Sequence, residues 1–340
     1  MKGVLFPGDS RAVLTDLPKP EVAEGDVEIR LTASGICGTD LHYWRESPSA
    51  RGGRAGVVPG HEVVGHVVSS ASTTGHVRVG DRVVASTLHV GCGQCSYCHR
   101  GATTYCRLKR ILGRDLNGSY GELVVVPERA VTVIPSGVSD REAVLLACNL
   151  STAYSALQKA NAANGKLLAV LGLGPVGLSA VVLARYLGWK VVAVDPQPSR
   201  RELAQSLGAD WTLAPGAPEY IQEIRELDPN GGVPAVLECS GASQAQADGL
   251  RMLAPGGTEV LVGSGPGFQL DSDYMLAPEL TITASGCCKT YEFDDALALL
   301  NRRAIAVEGI LGPTFRIEDV GLALEHAANG NDGKVLFDWT

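Results

Sequence analysis

The stretch VLGLGPVGLSAVVLARYLGWKVVAVD, Val170 to Asp195, decides the architecture. It opens as an unbroken apolar run, turns on Gly172, Gly174 and Gly177, continues as a long apolar helix pattern, and closes on a second apolar run ending in an acid. A strand that passes directly into a helix and then into another strand reads as a unit of a parallel sheet, covered on both faces and so without polar alternation. In that context G-x-G-x-x-G is a nucleotide signature. The glycines allow a tight turn, close approach of backbone to a pyrophosphate, and close packing of helix on strand. Gly172, Gly174, Pro175, Val176 and Gly177 are therefore assigned to the cofactor, whose phosphates would rest on the helix N-terminus. Asp195 stands 23 positions after Gly172, where its carboxylate can accept both hydroxyls of an adenosine ribose. A phosphate on that ribose would meet like charge, so the expected cofactor is NAD and not NADP.

Outward from this unit the texture differs on the two sides. Downstream, the apolar runs AVLECSG, GTEVLVG and LTITASG alternate with helical segments such as QAQADGLRML, which extends the parallel sheet. GTEVLVG is expected to be an edge strand open to a second subunit. Upstream, DVEIRLTA has period two, with Val27, Ile29, Leu31 and Ala33 on one face and Glu28, Arg30 and Thr32 on the other, half-exposed one. EVVGHVV, DRVVA, GELVVVP and AVTVIP repeat that pattern between Gly, Ser and Pro, as an antiparallel barrel would. The pattern changes near Glu142, and after Gly286 a helix precedes GKVLFDW, a strand able to return to the first domain. The expectation is two domains, residues 1–150 with 287–340 and residues 151–286.

The composition, 45% hydrophobic and 19% charged, is that of a globular protein, and 29 basic against 37 acidic residues leave no electrostatic footprint for nucleic acid. No apolar run approaches membrane-spanning length and the start, MKGVLFPGDSRAVL, lacks a signal peptide's apolar segment, so a cytoplasmic protein is expected. In a reducing compartment close-set cysteines point to metal before disulfide, and nine is an odd total. Four of them lie in GCGQCSYCHRGATTYC as C-x2-C-x2-C-x7-C. Cys92, Cys95, Cys98 and Cys106 can converge on one tetrahedral ion, closing its shell, and are assigned to a structural zinc. A redox pair would need only two of them, and His99, within the loop, competes for a shell the thiolates already fill.

Cys37, His61, Glu62 and Cys148 are scattered, and each alone reads as an ordinary core or surface residue. Together, CGTDLH, GHE, the four-cysteine loop and GLGPVG stand in the order and approximate spacing of the zinc-containing medium-chain alcohol dehydrogenase family, which the chain resembles over essentially its whole length. The resemblance implies a GroES-like barrel domain with a Rossmann domain inserted before the C-terminal return, two zinc ions per chain, NAD, and a homodimer or homotetramer. It makes Cys37, His61 and Cys148 catalytic zinc ligands, with a fourth position for water or substrate oxygen. Glu62 resembles the carboxylate that can approach the metal during ligand exchange, and Asp40 the group that orients a ligating histidine. Thr39 and His42 resemble a relay that carries the alcohol proton to solvent, and Arg200 a basic residue on the adenosine ribose. Two features depart from the pattern. Gly38 stands where some relatives have an arginine on the pyrophosphate, and Cys148 where polyol and threonine dehydrogenases often have glutamate, which keeps Glu142 and Glu62 as competing ligands. Tyr43, Trp44 and Asn149 are expected to line the pocket. The implied activity is reversible hydride transfer between NAD and a primary or secondary alcohol, polyols included. The alternatives are an NADP-dependent aldehyde reductase, a polyol or threonine-type dehydrogenase, or a non-catalytic zinc and nucleotide binder.

Overall fold

The computed structural model describes residues 1–86, 88–160, 165–217, 219–270, 272–330 and 333–340. The chain divides into two compact units, one of Met1–Cys148, Cys287–Arg302 and Leu311–Thr340, the other of Asn149–Gly286 and Arg303–Ile310. Residues 303–310 thus belong with the second unit and not with the first, where sequence order placed them. The physical reason is apolar: Val307 and Ile310 are fully buried, and the turn Glu308–Ile310 packs against the helix Pro175–Tyr186.

The first unit is built on a sheet in the order Leu311–Arg316, Lys334–Asp338, Asp26–Gly35, Val64–Ser70, Arg82–Ala85, Val131–Val133, with Leu123–Pro127 also paired to Asp26–Gly35. GKVLFDW does return, antiparallel to the long strand, with Leu336 opposite Gly35 and Asp338 opposite Ala33. Val27, Ile29 and Leu31 point into an apolar cluster with Val63, Val67, Val83, Val124 and Val126, as period two requires. The opposite face is less exposed than its polarity suggests. Arg30 is exposed, but Glu28 is buried and its carboxylate meets Lys19 Nζ at 3.1 Å. The four-cysteine loop hangs from a short antiparallel pair, His89–Val90 with Arg110–Ile111.

The second unit holds a six-stranded parallel sheet in the order Trp211–Leu213, Lys190–Val194, Leu167–Leu171, Val233–Glu238, Leu253–Leu261, Thr281–Ala284. This is the doubly wound order whose reversal lies between the first and fourth strands. GTEVLVG is not an edge strand, because it lies in Leu253–Leu261 and is paired on both sides. The edges are Trp211–Leu213 and Thr281–Ala284. Among the described residues no helix is long and apolar enough to cross a membrane.

Candidate metal centres and nucleotide site

Cys37 ends the long barrel strand's segment and caps the helix Gly38–Arg45, where its backbone N–H donates to Asp40 Oδ2 at 2.8 Å. His61 and Glu62 follow Gly60, which has φ +86°. Cys148 sits in a π-helical turn, Leu146–Leu150, between the helices Asp140–Leu145 and Ser151–Ala160. Such a turn inserts an extra residue into a helix and re-aims its side chains, a common device at functional sites. The ligand atoms of Cys37, His61, Glu62 and Cys148 all lie within 4.8 Å of one another.

The donor set fits a metal. Cys37 and Cys148 Sγ are 3.9 Å apart, close to the ~3.8 Å that two thiolates on one tetrahedral zinc would show at Zn–S of about 2.3 Å. His61 Nδ1 faces Asp40 Oδ1 at 3.4 Å, while Nε2 is buried without a hydrogen-bond partner among the described residues. An imidazole fixed by a carboxylate at one nitrogen presents a lone pair at the other. The hydrogen bond from Cys148 and the nearby imidazole of His61 hold Cys37 well below the usual thiol range despite burial. The same thiol pair and burial push Cys148 well up. Burial disfavours charge on His61, but Asp40 and the Cys37 sulfur together raise it well above the usual imidazole range.

Glu62 is fully buried, and burial raises its carboxyl to about 7 against the opposing charge of Lys334. Lys334 Nζ, itself fully buried, donates to Glu62 Oε1 at 2.5 Å and to the Ile36 carbonyl at 2.9 Å. A side chain on Gly35 would collide with both Glu62 and Lys334. Glu142 is engaged elsewhere, since its carboxylate accepts from Ser139 N and Oγ at 2.7 Å in a capping box. Sequence reading missed Lys334, whose one signal is a lone charge at the head of an apolar strand, and Tyr120, whose hydroxyl lies 3.2 Å from Asp40 Oδ2.

Thr39 is half-buried and His42 exposed, three residues apart on one face of Gly38–Arg45. Trp44 is buried in the apolar cluster of Val4, Phe6, Ile36 and Val320. Tyr43 is half-buried, and Asn149 is buried with its Oδ1 unpartnered among the described residues.

Cys92, Cys95, Cys98 and Cys106 form the second cluster, again with sulfurs within 4.8 Å. Cys92 to Cys98 is 3.9 Å, Cys95 to Cys98 3.5 Å, and Cys92 N donates to Cys106 Sγ at 3.4 Å. Backbone N–H groups of Gln94 and Cys95 lower Cys92 to about 6, whereas burial raises Cys98 to about 11. Cys239, Cys287 and Cys288 lie outside both clusters.

In the second unit Gly172 has φ +89° and its missing side chain makes room for Ser240. A methyl on Gly177 would strike the Gly172 carbonyl. Gly174 is the N-cap of Pro175–Tyr186 and its Cα faces open space, the cradle that a phosphate needs. Asp195 is buried and braces the turn: Oδ2 accepts from Leu173 N at 2.8 Å and Oδ1 from Gln197 N at 2.9 Å. Arg200 Nη1 lies 3.4 Å from Asp195 Oδ2, while Arg201 is tied to the carbonyls of Asp195 and Pro196.

Together, a barrel unit with two thiolate-rich clusters and a doubly wound nucleotide unit define a zinc-binding dehydrogenase. Comparison with known proteins agrees. Residues 23–136 match the alcohol dehydrogenase GroES-like domain and residues 175–302 the zinc-binding dehydrogenase domain. An L-threonine 3-dehydrogenase of Rhizobium etli (strain CIAT 652) is 30% identical over 96% of this chain and 94% of its own. A sorbitol dehydrogenase of Halalkalibacterium halodurans is 29% identical over 97% and 96%. The solved structure of the alcohol dehydrogenase TADH from Thermus sp. ATN1 covers 99% of each chain with a TM-score of 0.90 at 29% identity. The chain belongs to the zinc-containing medium-chain alcohol dehydrogenase family, an oxidoreductase family that uses zinc and a nicotinamide cofactor.

Proposed function

We propose that the protein is an NAD-dependent, zinc-dependent dehydrogenase of a primary or secondary alcohol, polyols included, with carbonyl reduction as the reverse reaction. The observation that carries this reading is the buried, unpartnered His61 Nε2 among Cys37, Cys148 and Glu62, all within 4.8 Å. Cys37, His61 and Cys148 would hold one zinc and Cys92, Cys95, Cys98 and Cys106 a second, two per chain. Bound at the first set, the ion would supply Lewis acidity that lets an alcohol lose its proton near neutral pH.

The chain's own residues do the rest. Asp40 holds His61 by its Nδ1, leaving Nε2 for the metal. Lys334 pairs with Glu62 and neutralises a second negative charge in a cluster that already carries thiolates. Thr39 is the first acceptor for the departing proton, and the exposed His42 delivers it to solvent. In the nucleotide unit, the backbone after Gly172 and the helix N-terminus at Gly174 would receive the pyrophosphate, and Pro175, Val176 and Gly177 complete that turn. Asp195 would accept the ribose hydroxyls, with Arg200 beside it. Arg200 is also the observation that favours the second reading, an NADP-dependent aldehyde reductase. Association into a homodimer or homotetramer through Thr281–Ala284 would fit its place at the edge of the sheet.

The deciding experiment is a panel of primary and secondary alcohols, polyols, threonine and aldehydes assayed with NAD and NADP. Alcohol oxidation with NAD at a higher kcat/KM than with NADP is expected. Preference for NADP, or turnover of aldehydes alone, would overturn the proposal in favour of the reductase.

A further inference from the structure

We infer that Tyr120 is a positioning residue for the metal centre: its hydroxyl fixes the Asp40 carboxylate that orients His61, and its ring shapes the turn that carries His61. The inference rests on the reading of Cys37, His61 and Cys148 as metal ligands.

Two contacts define the hydroxyl's role. Tyr120 Oη lies 3.2 Å from Asp40 Oδ2 and 3.4 Å from the Gly35 carbonyl. It has one proton to give, and an anionic carboxylate is the stronger acceptor. Asp40 Oδ2 also receives the backbone N–H of Cys37 at 2.8 Å. With two donors on Oδ2, the carboxylate is held against rotation, and Oδ1 is left facing His61 Nδ1 at 3.4 Å. Burial, together with the charge of Asp40, pushes the phenol well above its usual range, so it remains a donor at any working pH. The result is a path from Tyr120, through its hydrogen bond to Asp40 and the close Asp40–His61 contact, to an Nε2 that has no hydrogen-bond partner among the described residues.

The ring acts on the same ligand from another side. It is fully buried between Phe6 and Phe337, both edge-on at centroid distances of 6.1 and 5.1 Å. Tyr120 N donates to Pro59 O at 3.0 Å and Ser119 N to Gly60 O at 3.1 Å, so this segment lies along the residues that lead into His61. Gly60, in the left-handed region, has no room for a side chain because the Tyr120 ring and Ser119 occupy it. The hydroxyl's hydrogen bonds go to Asp40 and Gly35 and not to a proposed metal-binding atom. The effect of Tyr120 passes through Asp40 and the Gly60 turn.

The test uses the full-length zinc-loaded enzyme. Tyr120→Phe keeps the ring and removes only the hydroxyl. It should speed zinc release from the Cys37–His61–Cys148 site to a chelator by about 3- to 10-fold, less than the 10- to 100-fold typical of losing a direct partner of a ligand. The four-cysteine ion should leave at its ordinary rate, and the visible bands of the cobalt-substituted protein should shift. Replacing Tyr120 by 3,5-difluorotyrosine, a stronger donor, should slow release, and this variant decides the matter if the phenylalanine one does not fold. Unchanged release and unchanged cobalt bands would overturn the inference. A separate control isolates the reading beneath it: Cys37→Ser should lower zinc content by one ion, and if it does not, the reading of the centre fails and this inference with it.

Discussion

Glu259 should make the nucleotide unit progressively less stable as pH rises from mildly acidic to mildly alkaline. It lies on the strand Leu253–Leu261, paired on both sides, is fully buried, and neither carboxyl oxygen has a hydrogen-bond partner among the described residues. Gly249, on the helix packed over it, leaves room for the carboxyl, since a side chain there would strike Glu259 Oε1. Burial, and then the charge of Glu238, raises Glu259 from 4.5 to about 8. Because the folded-state value lies above the unfolded one, both states hold the proton below pH 4.5 and the full stability is present there. Between 4.5 and about 8 the unfolded chain releases the proton and the folded one keeps it, so stability falls with pH until the folded group ionises. At about 1.4 kcal/mol per unit the loss is bounded near 5 kcal/mol, and relaxation around the site should reduce it to roughly 2–4 kcal/mol. Glu259→Gln imitates the protonated acid in shape and charge. Urea unfolding from pH 5 to 8.5 should show the variant close to the parent at the acid end and more stable by that margin at the alkaline end. A difference between the two proteins that stays constant across the range would refute the reasoning.

Other expected outcomes follow from the two clusters and the nucleotide turn. Cys95→Ser should lower zinc content by one ion per chain and lower the melting temperature, with kcat nearly unchanged, because a closed thiolate shell stabilises the fold and takes no part in chemistry; elemental analysis and calorimetry check this. In cobalt-substituted protein, Cys148→Ser should weaken the thiolate charge-transfer band and reduce turnover by at least tenfold, whereas an unchanged spectrum would return Cys148 to the core. Asp195→Ser should raise the NADP-to-NAD ratio of kcat/KM by about 10- to 100-fold, a change of ~1.4–2.8 kcal/mol. The same change should weaken both cofactors, since Asp195 also holds Leu173 N, and cofactor titration by fluorescence would show that loss.

Much of the molecule was legible without coordinates because the signals were local or covalently spaced. The turn at Gly172, Gly174 and Gly177 is written into consecutive residues, and its φ of +89° at Gly172 admits little but glycine. The cysteines of the four-cysteine loop lie close enough in sequence that their spacing alone implies convergence. Period two in DVEIRLTA fixed which residues of the long strand face the barrel interior. The reading failed where a side chain's surroundings come from distant segments. Glu28 reads as exposed, yet it is buried with the Lys19 ammonium against its carboxylate. GTEVLVG reads as an edge until LTITASG pairs alongside.

What the sequence by itself determined was the order of elements, the two groups of candidate ligands and the nucleotide turn, since each follows from residue type and short-range spacing. Tertiary structure alone decided which atoms meet. Cys37 and Cys148 are 111 positions apart and come to 3.9 Å in the fold, the second presented from a π-helical turn. Lys334 reaches Glu62 across 272 positions because the C-terminal strand pairs with the long barrel strand beside Gly35. Tyr120 meets Asp40 because its segment runs beside Pro59 and Gly60. Burial then converts those meetings into chemistry: a carboxylate, an ammonium or a phenol removed from water must take its partner from the fold, and no local pattern along the chain records which partner that will be.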